Sequence, residues 1–231
     1  MKKVAILQSN YIPWKGYFDL INSVDEFIIF DEMQYTKRDW RNRNKIKTPQ
    51  GIVWLTIPVG VKGKFHQKIN ETKVGESWSE KHWRTISMAY SKAPYFSDYK
   101  SIFEDFFLKE SLNLEYLSDI NIQLIKIINN VLNIKTTISL DSDYGIIEGK
   151  SERLLDLCKK ASADVYLSGP AAKDYLDCDI FEKEGIGVQW MDYSNYPEYT
   201  QLYPPFEHGV SILDLLFSVG PDAPKFMKSF R

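Results

Sequence analysis

Cysteine is scarce in this chain: two residues in 231, Cys158 and Cys178. They stand twenty positions apart, form no CxxC pair and have no histidine beside them. The count excludes a disulfide framework, and the spacing argues against a zinc site. Both read as small buried hydrophobes in a reducing compartment. Long apolar runs are also missing. The run Val4-Ala5-Ile6-Leu7 stops at Gln8, too short for the core of a signal peptide. Nothing approaches the ~20 apolar residues that cross a bilayer. A soluble, cytoplasmic protein is expected. Charge of one sign is lacking too: 29 Lys and Arg face 31 Asp and Glu, with a pI near 6.0. This balance excludes a general nucleic-acid binder, though a local basic patch can still hold phosphate. No Walker A sequence occurs, and Tyr166-Leu167-Ser168-Gly169-Pro170 is not a nucleophile elbow. Internal repeats, low-complexity tracts and linkers are absent.

What is there is a 44% hydrophobic chain, enough for a sizeable core in a single domain spanning 1–231. Short apolar runs at 3–8 and 26–31 bracket a helical stretch, Gly16 to Ser23, which suits a βαβ unit with parallel strands. Strands are also expected at 52–59, 69–74, 136–140, 165–169 and 187–191. From Ser79 the period turns helical, and a helical block at about 79–132 follows. Its last member, Tyr116 to Leu132, spaces Leu117, Ile120, Leu124, Ile127, Ile128 and Val131 three and four apart. Helices are expected at 151–162, at Ala171 to Leu176 and at Ser211 to Phe217. The fold class is α/β, a mostly parallel, Rossmann-like sheet with a central helical insertion.

Open parallel sheets bind ligands at the carboxyl ends of their strands. Two loops leave such ends here. The first, Gln8 to Tyr17, holds Gln8, Tyr11 and Trp14. The second begins at Asp31 and runs through Gln34 to Lys37-Arg38-Asp39-Trp40-Arg41-Asn42-Arg43-Asn44-Lys45. Arginine forks and asparagine amides suit phosphate oxygens. Lys37, Arg38, Asn42 and Arg43 are therefore phosphate candidates. The plainer alternative is a solvated basic loop.

Asp31, directly after four apolar residues, suits sugar-hydroxyl binding or proton transfer from an amine, and equally a turn cap. His82 can accept a proton near neutral pH, or be a hydrogen-bonded structural histidine. Ser168 ends a strand and can orient a substrate. Tyr11 and Trp14 can stack on a ring, and Gln8, Gln34 and Gln201 can supply amide hydrogen bonds. His66 and His208 read as exposed or structural, and no metal site is expected.

Gln8…Tyr11-Ile12-Pro13-Trp14-Lys15-Gly16-Tyr17-Phe18 resembles the opening of the WbqC-like family. The resemblance continues through Asp31…Gln34, Lys37-Arg38…Trp40, Asn42-Arg43-Asn44, Trp54-Leu55-Thr56-Ile57-Pro58 and His82. It resumes at Lys92-Ala93-Pro94-Tyr95-Phe96, Tyr166-Leu167-Ser168-Gly169, Tyr199…Gln201 and Ser211-Ile212-Leu213-Asp214-Leu215-Leu216. It implies a setting in bacterial surface-polysaccharide and O-antigen biosynthesis. The reaction it implies is acyl transfer, such as glycyl transfer, to the amine of a nucleotide-linked amino sugar. The acyl or aminoacyl donor stays open among an adenylate made with ATP, a thioester and a charged tRNA. A fainter likeness, Pro13-x-x-Gly16 after a strand, is to HIGH-type nucleotidylyltransferases and adenylate-forming ligases. Their paired histidines are replaced here by Trp14 and Tyr17. A nonenzymatic sugar-nucleotide binding protein is the alternative from another class.

Overall fold

Five short strands form one parallel sheet: β1 (Lys3–Leu7), β2 (Glu26–Ile29), β5 (Thr137–Leu140), β6 (Val165–Ser168) and β7 (Gly187–Trp190). The structure is a computed structural model that describes residues 1–145 and 147–230. The strand order is β5-β2-β1-β6-β7, with Ile6 beside Ile28, Val4 beside Tyr166 and Phe27 beside Ile138. The order reverses direction between β1 and β6, which is where a doubly wound sheet opens its ligand crevice. Glu26, at the start of β2, takes the Lys2 ammonium at 2.7 Å and the Ser139 and Tyr144 hydroxyls.

The side-chain alternation along these strands divides the core in two. Ala5, Phe27 and Ile29 face a large cluster covered by α1 (Lys15–Asn22), α4 (Leu117–Val131) and α7 (Ile212–Val219). Val4, Ile6, Ile28 and Phe30 face a smaller one covered by α5 (Ser151–Lys160) and α6 (Cys178–Lys183). Both sheet faces are thus buried, which is why the strands read as continuous apolar runs.

The central insertion holds α2 (Trp78–Tyr90), α3 (Phe96–Leu108) and α4. Trp83 lies between the rings of Phe96 and Phe107, nearly parallel to both. Phe217 of α7 packs on Phe96 and Phe103, joining the insertion to the end of the chain.

Four sequence expectations need correction. The strand expected at 52–59 does not enter the parallel sheet. It is β4 (Gly51–Thr56), antiparallel to β3 (Arg43–Thr48), in a separate hairpin. β3 takes in the last three residues of the run read as a basic loop, Arg43 to Lys45, because Asn44 and Ile46 point inward while the cations alternate with them. Residues 69–74 form no strand among the described residues, only isolated bridges such as Lys73 to Tyr116. The short helix expected from Ala171 is there as a 3-10 helix, Pro170–Asp174, but α6 follows where no helix is expected.

Candidate functional site

The two early loops meet. Tyr17 Oη donates to the Gln8 carbonyl at 3.0 Å, holding the turn after β1. Arg41 reaches across from the second loop. Its Nη2 donates to Gln8 Oε1 at 3.1 Å, its Nη1 donates to Asn10 Oδ1, and Asp39 lies 3.7 Å away. The Arg41 side chain is 13% exposed, so a mostly desolvated guanidinium sits over the end of β1.

Asp31 fixes this junction from below. The Ser9 backbone N–H and hydroxyl donate to it at 2.8 and 2.6 Å, and the Ser118 hydroxyl of α4 donates as well. Burial raises its pKa, against the pull of these donors and of Arg41. Asn121 extends the network, donating to the Ser9 hydroxyl and to the Arg41 carbonyl. The carboxylate that follows β2 is thus engaged in joining both loops to the helical insertion.

Two clefts open beside the residues that Arg41 holds. The first, about 460 Å³, opens at the switch point and is lined by Gln8, Met33, Lys150, Arg153, Ser168 and Tyr175 among others. Gln8 and Ser168, expected from the sequence as orienting groups, share this cleft. Arg153 donates to the Ile147 carbonyl and contacts Met33 Sδ, which steadies its guanidinium at the wall. The second cleft, about 280 Å³ and mostly apolar, is lined by Asn10, Trp14, Trp40, Asn44, His208 and Gly209 with Pro13. A larger, shallower groove of about 720 Å³ separates α2 from α3. It lies on the helical insertion, and its Trp83 indole N–H is already bonded to Glu104.

Trp14 owes its place to Gly16. A Cβ at Gly16 would fall 2.3 Å from the Trp14 ring, which also packs edge-on against Tyr193 and Tyr196. Gly16→Ala is expected to displace the indole from the second cleft. The readout is a shift in tryptophan emission and a loss of ligand affinity of about tenfold, or about 1.4 kcal/mol.

The other expected site residues lie elsewhere. Tyr11 Oη sits 2.7 Å from His82 Nδ1; both residues are buried, and neither lines the two clefts. Gln34 is exposed and donates to the Phe65 carbonyl. Lys37 and Arg38 are exposed. Asn42 is buried, donating to the Ile57 carbonyl at 2.7 Å. The Arg43 guanidinium lies 4.2 Å over the Trp54 ring. None of these four basic-loop candidates lines either cleft. The cation that the loop turns inward is Arg41, which lines neither cleft itself but bonds to a wall residue of each, Gln8 and Asn10.

Gln201 is engaged in scaffolding. Its Oε1 accepts from Lys47 Nζ at 2.8 Å and from the Glu207 N–H at 2.8 Å, and its Nε2 donates to the Glu207 carbonyl. It thereby shapes the turn that delivers His208 to the second cleft. Among the described residues, no group of three or more His, Cys, Asp or Glu is placed to hold a metal ion. No helix of the described residues is long and apolar enough to cross a membrane.

Burial lowers the His82 pKa to about 4, against a hydrogen bond to the Thr56 backbone that raises it. The unfolded histidine, near 6.5, takes up its proton first. The stability this residue contributes is therefore lost as pH falls from 6.5 towards 4, by about 2 kcal/mol between pH 7 and 5. Asp141 acts with the opposite sign. Burial raises its pKa to about 6, so the folded state gains on protonation there. The decisive measurement compares urea midpoints of wild type and His82→Gln at both pH values. The acid-dependent loss is expected in the wild type relative to the variant.

The WbqC-like protein family matches residues 8–226 of the chain. A protein of Mycobacterium tuberculosis, named Uncharacterized protein Rv1507c, is 51% identical over the full length of both chains. No solved structure gives a significant match. The comparisons thus add no support to the nucleotidylyltransferase likeness.

Proposed function

Because the chain belongs to the WbqC-like protein family, we propose that it is an enzyme of bacterial surface-polysaccharide biosynthesis. In this reading it acylates the amine of a nucleotide-linked amino sugar. The observation that carries the reading is the Arg41 bridge: one largely buried guanidinium bonds to Gln8, on the wall of the switch-point cleft, and to Asn10, on the wall of the aromatic cleft beside it. A sugar nucleotide has the matching division, with an anionic linker between two rings. The nucleotide enters the switch-point cleft, where Gln8 and Ser168 orient it. Its diphosphate lies among Arg41, Arg153 and Lys150, and arginine forks pair with phosphate oxygens. Asp31 serves through Ser9 and Ser118, and His82 through Tyr11, as supports of the loops rather than as groups on the substrate. The acyl group arrives on an activated donor: an adenylate made with ATP, a thioester or an aminoacyl-tRNA.

The test is incubation with a panel of nucleotide-linked amino sugars, acyl donors and ATP, read by mass spectrometry. A mass gain equal to one acyl group on the sugar nucleotide is the expected result. Pyrophosphate release with no acylated product would favour nucleotidyl transfer. Binding without turnover across the panel would favour a nonenzymatic sugar-nucleotide binder.

A further inference from the structure

We propose that the Trp14–Trp40 cleft holds the amino-sugar ring and that His208 is the base that frees its amine. Lys15 is the positioning residue behind it. The inference rests on the acylation reading above and assigns its second cleft.

The shape and chemistry of the cleft select a small ring. Its volume of about 280 Å³ accommodates one hexose. Trp14 and Trp40 line it, and the C–H face of a sugar can lie against an indole. Most polar groups on its walls are committed. The Asn10 carboxamide oxygen accepts from Arg41. Asn44 donates to the Tyr11 and Ile12 carbonyls and accepts from the Lys45 N–H. His208 differs: it lines the cleft, and its Nδ1 is buried with no hydrogen-bond partner among the described residues, which leaves Nε2 as the nitrogen to meet a ligand. The imidazole is held edge-on against Phe206, with centroids 4.6 Å apart, on the turn that Gln201 and Lys47 brace.

Lys15 lies near that same phenyl ring. It is buried, its Nζ donates to the Pro197 carbonyl at 3.0 Å, and it sits 5.0, 5.3 and 6.0 Å from the Tyr196, Tyr199 and Phe206 ring centres. No carboxylate of the described residues pairs with it within 4 Å. The charged groups acting on His208 are Lys15 from α1, and Glu198 and Glu207 from the loop. Burial and the Lys15 ammonium hold the imidazole below the usual histidine range, against the two glutamates. A neutral imidazole is the form that accepts a proton.

The step balances as follows. The sugar ammonium gives one proton to His208. The freed lone pair forms the C–N bond to the acyl carbon of an activated ester or thioester. The bond from that carbon to the donor oxygen or sulfur breaks, its electron pair leaving with the donor. The second amine proton goes to that leaving group, and His208 returns its proton to water.

The experiment separates this inference from the function above. Protein labelled with ¹⁵N in its three histidines is titrated with methyl glucosaminide and, separately, with uridine diphosphate. The glucosaminide is expected to move the His208 signals and quench emission in a Trp14-dependent manner, and the diphosphate to leave His208 unmoved. Movement by the diphosphate, or by neither probe, overturns the ring assignment. With active enzyme, His208→Asn is expected to lower kcat at least 100-fold while KM for the sugar nucleotide changes less than threefold. In Lys15→Met the His208 titration midpoint and the acidic limb of the pH–rate profile move up together. Unchanged kcat in His208→Asn overturns the base and leaves the acylation reading standing. A wild type inactive on every amino sugar removes that reading, while the titration result still judges the ring site.

Discussion

Arg41→Met is expected to lower kcat/KM for a sugar nucleotide by about 10²–10³-fold with little change in the urea midpoint. A preorganised charged donor removed from a desolvated site typically has an effect of this size. Arg41 donates to two neutral amide oxygens, Gln8 Oε1 and Asn10 Oδ1, and approaches one carboxylate, Asp39. Methionine fills most of the same volume, and both amides sit at cleft walls where water replaces the lost donor. The fold therefore loses little, while the sugar nucleotide of the proposed reaction loses a partner for its anionic linker. Lysine is a poor substitute, because a single ammonium cannot hold Gln8 and Asn10 apart and still present a planar fork. Steady-state kinetics with calorimetric nucleotide binding test this. Turnover and affinity within threefold of wild type in Arg41→Met would sink the bridging role.

Asp214→Ala is expected to destabilise the protein by about 3–5 kcal/mol, the scale on which breaking a buried charge network acts. Asp214, fully buried on α7, accepts from the Tyr90 hydroxyl at 2.9 Å and from the Tyr199 hydroxyl at 2.8 Å. Tyr90 in turn accepts from the Lys47 N–H, and Lys47 Nζ donates to Gln201. Four elements distant in the chain, β3, α2, α7 and the turn after Tyr199, are fastened at this point. Alanine strands two phenolic hydroxyls and removes the negative charge nearest a buried ammonium. For a chain of this length the melting temperature should fall by roughly 6–20 °C, at about 2–4 °C per kcal/mol. Asp214→Asn, which keeps one acceptor, should lose less. Equal melting temperatures for wild type and Asp214→Ala would show that the network adds nothing.

Much of the fold was legible from the residues. Parallel strands buried on both faces read as unbroken apolar runs, as in Val4-Ala5-Ile6-Leu7 and Phe27-Ile28-Ile29. The spacing of Leu117, Ile120, Leu124 and Ile128 located α4, and all four are buried. β3 was hidden because Arg43, Lys45 and Lys47 mask a period of two. The turn Thr48-Pro49-Gln50-Gly51 and the inward Asn44 and Ile46 were the signals that could have revealed it.

The candidate site was legible at strand ends and obscure elsewhere. Gln8 and Ser168 follow strands, and topology brings them to one cleft. Composition could not say which of five cations within nine positions turns inward. Nor could it show that Gln201 is bound by Lys47, 154 residues away, or Tyr11 by His82, 71 residues away. Such partners exist only after the chain has closed on itself.

That closure sets a problem during synthesis, and Glu26 bears on it. β2 pairs with β5 only after the 107 positions from Phe30 to Thr136 have emerged. At about 5–20 residues per second, the outer rim of β2 waits on the order of ten seconds without its neighbour. An unpaired apolar rim is a template for aggregation, and natural proteins guard such rims with charge. Glu26 places a carboxylate at the start of that rim, and in the folded chain Lys2, Ser139 and Tyr144 engage it.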